Sequence, residues 1–563
     1  MKKVAAFISL AVILLVASCK KDFLQIPPPA QISPSQVSSL NGINSLLTST
    51  YASLEAYGNN WVFGDCSSDD AYYGGDYAHL FEKHIVFPTN GDLESRWTNL
   101  FNGISRANEV LRTLATTSGL DSAAVRNIRA QAKFLRAFYY FELRITYKNV
   151  PFIDEKAINT YLPNTVEIWP RIEGDLNAAI NDLPASQSDK GRVNLWAAKS
   201  LLAKTYLFQA KFNQARTLLT DIIANGMTSD GQKYGLDANF RDAFDVKTKN
   251  SKESVFAVQH SVSTASNNQN SAQGEAFGHP IINGVLLGYA NRKPTINLGN
   301  AFITNPNGLP LLTGSGDTLK TDDHVAFTDP TYRNDSTIRL DPRLDWTIGR
   351  RGIPYLDYGN APGVAVWAGG FVNLFGPYWP VKSVLYKADL ATYAQASQSI
   401  FDAHNYNVIR FADVLLWAAE CEVEVGSLSQ ALVYVNTIRS RAQTTATVKR
   451  IDASGLPTNQ NAANYTVGLY LSFPDQNYGR TAVRFERRLE LGMEGHRFFD
   501  LVRWGIADQV INAYITAEAR STLTLSGGLF VKGKNEYFPI PQAEINNSYV
   551  NGKPTLIQNP GYR

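Results

Sequence analysis

The sequence predicts a mainly α-helical protein, built on tetratricopeptide-like helical repeats and interrupted by one large, irregular, loop-rich region. Three observations lead to this. Apolar residues recur at helical spacing through most of the first 225 positions and again beyond about position 405. A pair of antiparallel helices occurs twice, over 194–225 and 410–441, and the two copies can be laid in register. Between them, over about 226–404, the helical period gives way to Gly, Pro, Asn and aromatic residues.

Taken in order, the chain opens with Met1-Lys2-Lys3, an almost unbroken apolar run from Val4 to Val16, and Val16-Ala17-Ser18-Cys19. The run falls short of the roughly 20 apolar residues that span a bilayer, so it reads as a signal peptide over 1–18. The small-small-Cys ending resembles the lipobox of bacterial lipoproteins, which makes Cys19 the expected site of lipidation. Residues 19–34, with Pro27-Pro28-Pro29, read as a stiff, extended tether. Residues 35–563 are then expected to form one domain, with its helical scaffold at about 35–225 and 405–563.

Within that scaffold helices are expected over Ser35–Tyr57, Asp92–Leu114, Ser122–Tyr147 and Thr165–Leu183, the last ended by Pro184. A Gly- and Asp-rich loop is expected over Gly58–Tyr77. The repeat supplies the remaining helices, broken near Ala210-Lys211 in the first copy and at Gly426-Ser427 in the second. Ala203 falls on Ala419, Ala215 on Ala431, Leu219 on Val435, Ile222 on Ile438, Phe212 on Leu428 and Gln214 on Gln430. Small residues at the first two positions allow close approach of neighbouring helices, the packing rule of stacked helical repeats.

Composition narrows the function. The formal charge is +3 and no long basic run occurs, which argues against nucleic acid as a partner. Charged residues make up only 18% and aromatics 11%, including 27 Tyr and 9 Trp, so the surface suits neutral ligands better than polyanions. Beyond Cys19 only Cys66 and Cys421 remain; one disulfide is possible, although the apolar setting of Cys421 reads as a small buried residue. No metal-binding, P-loop, dinucleotide or nucleophile-elbow motif is found, and no cofactor is implied.

The densest charged block runs from Arg484 to Leu501. Glu490 and Glu494 lie one helical turn apart and invite a glycosidase reading, but such acid pairs normally come from different elements. With Arg487, Arg488, Arg497 and Arg503 around them, buried ion pairing is the better expectation, and His496 reads as structural. Asp65, Asp69 and Asp70 could hold calcium, yet their spacing is not that of an EF-hand, and capping or a solvated loop is favoured. The candidate ligand-binding residues are loop aromatics and one acid: Trp61, Asp70, Tyr72, Tyr73, Tyr77, Tyr289, Trp367, Tyr378 and Trp379, with Phe371 beside them. An exposed ring stacks on the apolar face of a sugar while polar neighbours take its hydroxyls. Most single rings in a protein are core, so the expectation concerns the group.

Several blocks in one order resemble the SusD/RagB family of outer-membrane nutrient-binding lipoproteins. They are Cys19 followed by Phe23-Leu24 and prolines, Lys133 to Tyr140, the 194–226 helix pair, Asp341-Pro342-Arg343-Leu344, Val408 to Leu416, Glu486 to Trp504, Phe538 to Ile545, and Gln558 to Tyr562. The resemblance implies a SusD-like fold with an irregular ligand-binding half and a SusC-like TonB-dependent transporter as partner. It also implies capture of oligosaccharides, or of peptides in RagB-like members, without catalysis. The protein is then expected on the outer membrane, held by its lipid and facing the cell exterior. No family-wide site motif accompanies these scaffold blocks.

Overall fold

A computed structural model describes residues 37–74, 79–262, 279–282, 285–286, 288, 291–312, 334–362, 376–395, 398–520 and 522–562; the signal segment, Cys19 and the tether lie outside them. The scaffold helices begin where side chains satisfy their first N–H groups. Helix α1 (Leu40–Ala52) starts at Ser39, whose Oγ accepts from the Gly42 N–H at 3.1 Å. It starts later than expected and gives way to a 3-10 stretch (Ser53–Asn59) and a short helix (Asn60–Gly64), so the expected loop begins as helix. Helix α2 (Gly91–Thr116) is capped by Asn90 and α3 (Ser122–Tyr147) by Asp121. Helix α4 (Trp169–Asp182) begins at Trp169 rather than Thr165, because Glu167 accepts from the N–H groups of Ile168 and Trp169 and Pro170 sits in the first turn.

The repeat is present as two helix pairs, α5 (Leu195–Leu207) with α6 (Phe212–Asn225), and α7 (Phe411–Val425) with α8 (Leu428–Thr444). Of the twelve residues matched in register, Ala203, Ala419, Ala215, Ala431, Leu219, Val435, Ile222 and Ile438 are 0% exposed, while Phe212, Leu428 and Gln430 are half-buried and Gln214 is exposed. Ala210 turns the first pair with a left-handed φ of 54°. Each helix from α1 to α8 packs on the next, and α6 of the first copy lies directly against α7 of the second. Arg216 and Glu422 pair across that seam at 2.7 Å. The two copies are therefore neighbours in one continuous helical stack, although some 185 residues separate them in sequence.

The intervening region leaves the stack through a neck. Strand β1 (Ala71–Tyr73) belongs to the first loop, β2 (Ser254–Val258) lies where the chain leaves the stack, and β3 (Arg292–Pro294), β4 (Ile348–Gly349) and β5 (Trp379–Pro380) lie within the excursion. Strand β6 (Tyr406–Arg410) returns antiparallel to β2, with Tyr406 opposite Val258 and Arg410 opposite Ser254, and runs straight into α7. Phe256 of β2 meets Phe134 and Phe138 of α3 edge-on at 5.1 and 5.6 Å, which seats the neck on the scaffold core.

Charge holds the two parts together. Helices α9 (Gln476–Leu491), α10 (Arg497–Arg503) and α11 (Ala507–Glu518) complete the scaffold, and α9 carries Glu486 and Glu490. Arg410, at the start of α7, reaches Glu490 at 2.6 Å, Glu253 at 2.8 Å and Glu494 at 2.8 Å. Arg343 from the excursion reaches Glu486 at 2.7 Å and Glu490 at 3.0 Å, while Lys382 reaches Glu494 at 2.7 Å. All of these side chains are buried. Removing one member of such a network leaves the others as uncompensated charges, which costs about 3–5 kcal/mol. Arg410→Met is therefore expected to lower the urea unfolding free energy by about that amount; a loss below about 1 kcal/mol would mean that Arg343 and Arg441 suffice for Glu490.

Candidate functional site

The loops that carry the candidate aromatics are rooted at one place. Strands β1 and β3 pair antiparallel, with Tyr72 opposite Lys293 and Tyr73 opposite Arg292, and the Gly74 N–H donates to Asn291 O at 2.6 Å. Strands β4 and β5 form a second short ladder that brings Trp379 opposite Gly349. Gly376 lies on the ring of Tyr72, where a Cβ would come within 2.5 Å of Cε2, and its φ of 66° favours glycine as well. Ile282, Tyr355, Ala361 and Trp379 share a small apolar cluster. The described ends on either side of 75–78, 289–290 and 363–375 thus adjoin a common base. Tyr77, Tyr289, Trp367 and Phe371 belong to those three segments and lie outside the described residues.

For the other candidates the structure corrects the expectation of exposed stacking surfaces. Trp61 is 2% exposed, Tyr72 and Tyr378 0%, and Trp379 1%. Trp61 stands edge-on to Tyr73 at 5.5 Å with the Arg292 guanidinium 5.8 Å from its centroid, and the Lys293 ammonium lies 4.4 Å over Trp379. A ring already covered by protein has no face left for a sugar. Tyr73 is half-buried, against Trp61 and Phe81. These residues build the base of the loop face rather than its surface.

Asp70 is corrected in the same way, and so is the expected capping role of its cluster. Asp70 pairs with Arg488 at 2.8 Å, Asp69 with Arg497 at 2.8 Å and Arg488 at 3.0 Å, and Asp65 accepts from the Gly495 N–H at 2.8 Å. All three acids are buried, and they lock the first loop to α9 and α10. Burial alone would push Asp69 up, but Arg488 and Arg497 outweigh it and hold the carboxyl down at about 2.

The acids of the Arg-rich block are equally committed. Burial opposes ionisation of Glu490, yet Arg441, Arg410 and Arg343 hold it well below the usual carboxylate range. Glu494 is likewise held at about 2, burial being outweighed by Arg410 and Lys382, while burial brings His496 down to about 4. Acids ionised and saturated in this way cannot serve as a proton donor across a sugar. Cys66 and Cys421 are buried free thiols, not a disulfide. Among the described residues no cluster of three or more His, Cys, Asp or Glu side chains has metal-binding geometry, and no helix is long and apolar enough to cross a membrane.

Two residues that sequence reasoning passed over sit in the base itself. Lys293, behind Trp379, is brought down to about 7 by burial. Glu518, at the end of α11, takes a hydrogen bond from the Tyr72 hydroxyl and another from the Ile296 N–H at 2.9 Å, and burial raises it to about 7. Neither carries a motif; each is defined by what packs over it.

A helical-repeat stack thus carries a loop-rich face whose aromatic-bearing segments are rooted on a charged and buried base. The profile described as "SusD family" matches residues 252–562, and one described as "Starch-binding associating with outer membrane" matches residues 22–207. The chain belongs to the SusD/RagB family. It is 23% identical over 539 residues to SusD-like protein P25 of Formosa agariphila, covering 89% of this chain and 90% of that one. It is 28% identical over 280 residues to a SusD-like protein of Bacteroides ovatus, covering 44% of this chain and 48% of that one. Among solved structures, a laminarin-binding SusD-like protein superposes with a TM-score of 0.65 at 25% identity, covering 93% of this chain and 99% of that one. Surface glycan-binding protein A from Bacteroides thetaiotaomicron, in complex with laminarihexaose, shares the fold at TM-score 0.59 and 19% identity, covering 92% of this chain and 99% of that one.

The base gives a pH test. Glu518 binds its proton more tightly in the folded protein, at about 7, than an ordinary Glu does at 4.5. Its neutral form is therefore favoured by folding, and stability falls as pH rises from the unfolded value through the folded one, by about 3 kcal/mol in all. Glu518→Gln keeps the hydrogen-bonding shape without the charge. The loss of unfolding free energy between pH 5 and pH 8 should be smaller in this variant than in the wild type; identical profiles would refute the assignment.

Proposed function

We propose that the protein is a cell-surface lipoprotein that captures neutral oligosaccharides on its loop-rich face and delivers them to a SusC-like TonB-dependent transporter in the outer membrane. The signal over 1–18 directs export, Cys19 carries the lipid, and the proline-bearing tether over 19–34 holds the folded body at the membrane. The observation that carries the reading is the common base of β1, β3 and β5, which gathers the ends of the segments bearing Tyr77, Tyr289 and Trp367. Aromatic-bearing segments whose described ends share one base, in a chain with only 18% charged residues, suit a ligand bound by stacking and hydroxyl contacts. The fold shared along most of the chain with a laminarin-binding SusD-like protein supports the same ligand class. The saturation of Glu490 and Glu494 by arginines supports capture without hydrolysis.

Calorimetric titration with plant, host and microbial glycans, laminarihexaose among them, checks this directly. At least one glycan should bind, and Tyr77→Ala, Tyr289→Ala or Trp367→Ala should weaken it about tenfold or more while the thermal transition stays cooperative, since a lost stacking contact is worth on the order of 1 kcal/mol or more. Trp379→Ala should behave differently and cost about 3–5 kcal/mol of stability, because its ring is core. Binding of a peptide mixture with no binding of any glycan would replace this reading by peptide uptake.

A further inference from the structure

A groove of ≈ 370 Å³ lies on the helical scaffold, and none of the residues that line it belongs to the loop-rich excursion. It runs between the N-terminal part of α2, the loop after α3 and the C-terminal segment 544–556. Its size falls within the about 300–1,000 Å³ of small-ligand sites. The floor is apolar: Trp97, Phe101 and Leu556 lie there, and Trp97 is held edge-on to Tyr147 at 5.2 Å. Tyr161 lines the groove while remaining 50% exposed. It differs in this from Trp61, Tyr72, Tyr378 and Trp379, whose rings are covered.

The groove is held in shape from behind. Asn164 clamps the Tyr161 loop to the C-terminal segment, donating to Ile557 O at 2.9 Å and accepting from the Ile557 N–H at 2.9 Å. The Tyr161 N–H is fixed by Asn159 at 2.8 Å. The backbone of Ile153, also in the lining, is held by Asn108 and Tyr140. The polar side chains in the lining include Thr98, Asn102, Thr160 and Asn547, together with the carboxyl of Glu544. No Lys, Arg or His lines the groove, so nothing there would receive an anionic group or a peptide C-terminus. A half-exposed ring, apolar lining from Trp97, Phe101 and Leu556, neutral amides and hydroxyls, and one carboxylate able to accept from hydroxyl groups suit an uncharged, polyhydroxylated ring.

We infer that this groove is a second carbohydrate site, in which a pyranose ring of a neutral oligosaccharide stacks on Tyr161 and hydrogen-bonds to Asn102, Asn547 and Glu544. The choice of glycans as probes rests on the function proposed above. The site would hold a second stretch of the polymer on the scaffold, independently of the loop face.

Hydrogen–deuterium exchange and calorimetry on the mature full-length protein, with laminarihexaose and maltohexaose as probes, test this. The glycan should slow exchange in 153–163 and 544–556. Tyr161→Ala should abolish that protection and weaken the corresponding binding step at least tenfold, whereas Tyr161→Phe, which keeps the ring, should retain it. The double variant Asn102→Ala/Asn547→Ala, confined to exposed side chains, should weaken the same step without changing the melting temperature. Protection confined to the loop face, with affinity unchanged in Tyr161→Ala, would overturn the second site and leave the proposed function standing. Protection confined to the groove would uphold the second site and overturn the assignment of the loop face. Failure of both hexaoses to bind anywhere would overturn the second site, while the proposed function is decided by the wider glycan panel.

Discussion

A buried network of arginines and carboxylates is the constraint on which the remaining structure depends. Glu490 takes Arg343, Arg410 and Arg441, while Glu486 takes Arg343 and Arg439. The desolvation of each ion costs several kcal/mol, and mutual attraction offsets this only when the geometry is good and the remaining hydrogen-bonding groups are met. Here the partners come from distant parts of the chain: Glu253 at the neck, Arg343 and Lys382 in the excursion, Arg410, Arg439 and Arg441 in the second helix pair, and Glu486 to Glu494 around the end of α9. Arg343 and Lys382 reach Glu486, Glu490 and Glu494 only when the excursion is docked on the stack, whereas Arg410, Arg439 and Arg441 meet the same acids from within the scaffold. The network therefore specifies an arrangement, whatever its net contribution to stability.

That arrangement places the loop face. The stack from α1 to α8 would be continuous without the excursion, because α6 packs directly on α7. The neck of β2 and β6 closes the excursion where it departs and returns, and a second set of ion pairs, from Asp69 and Asp70 to Arg488 and Arg497, ties the first loop to the same helices. The short ladder β1–β3 pairs segments about 220 residues apart, and β4–β5 closes a second base beside it. A rigid scaffold presenting long loops at one place is a common basis for recognition. The scaffold groove beside Tyr161 adds recognition chemistry where sequence reasoning found only helix and loop.

Much of this was legible in the chain itself. The matched alanines and branched residues of the two helix pairs are local, periodic signals, and the packing honours them at each of the eight buried positions. The crowding of Arg487, Arg488, Arg497 and Arg503 around Glu490 and Glu494 argued for ion pairs rather than catalysis. The two acids are so paired, but with Arg343, Arg410, Arg441 and Lys382, while the four neighbouring arginines take Asp69, Asp70, Asp413, Glu420 and Asp500. Helix starts were less legible. A helix begins where a side chain satisfies its first amides, and Ser39 and Glu167 settle this several residues inside the apolar pattern.

The candidate site was the least legible. Trp61, Tyr72, Tyr378 and Trp379 stand among glycines, prolines and aspartates, as exposed loop rings do, yet they are covered by Arg292, Glu518, Gly299 and Lys293 from elsewhere in the chain. Lys293 and Glu518 carried no signal, because an isolated Lys or Glu becomes unusual only when other elements exclude water from it. By itself the sequence determined the helical stack, its interruption and the ionic character of the Arg-rich block, since periodicity and charge clustering are properties of neighbours along the chain. Only the tertiary structure decided which rings are core and which are open, because exposure of a side chain depends on residues that sequence distance does not reveal.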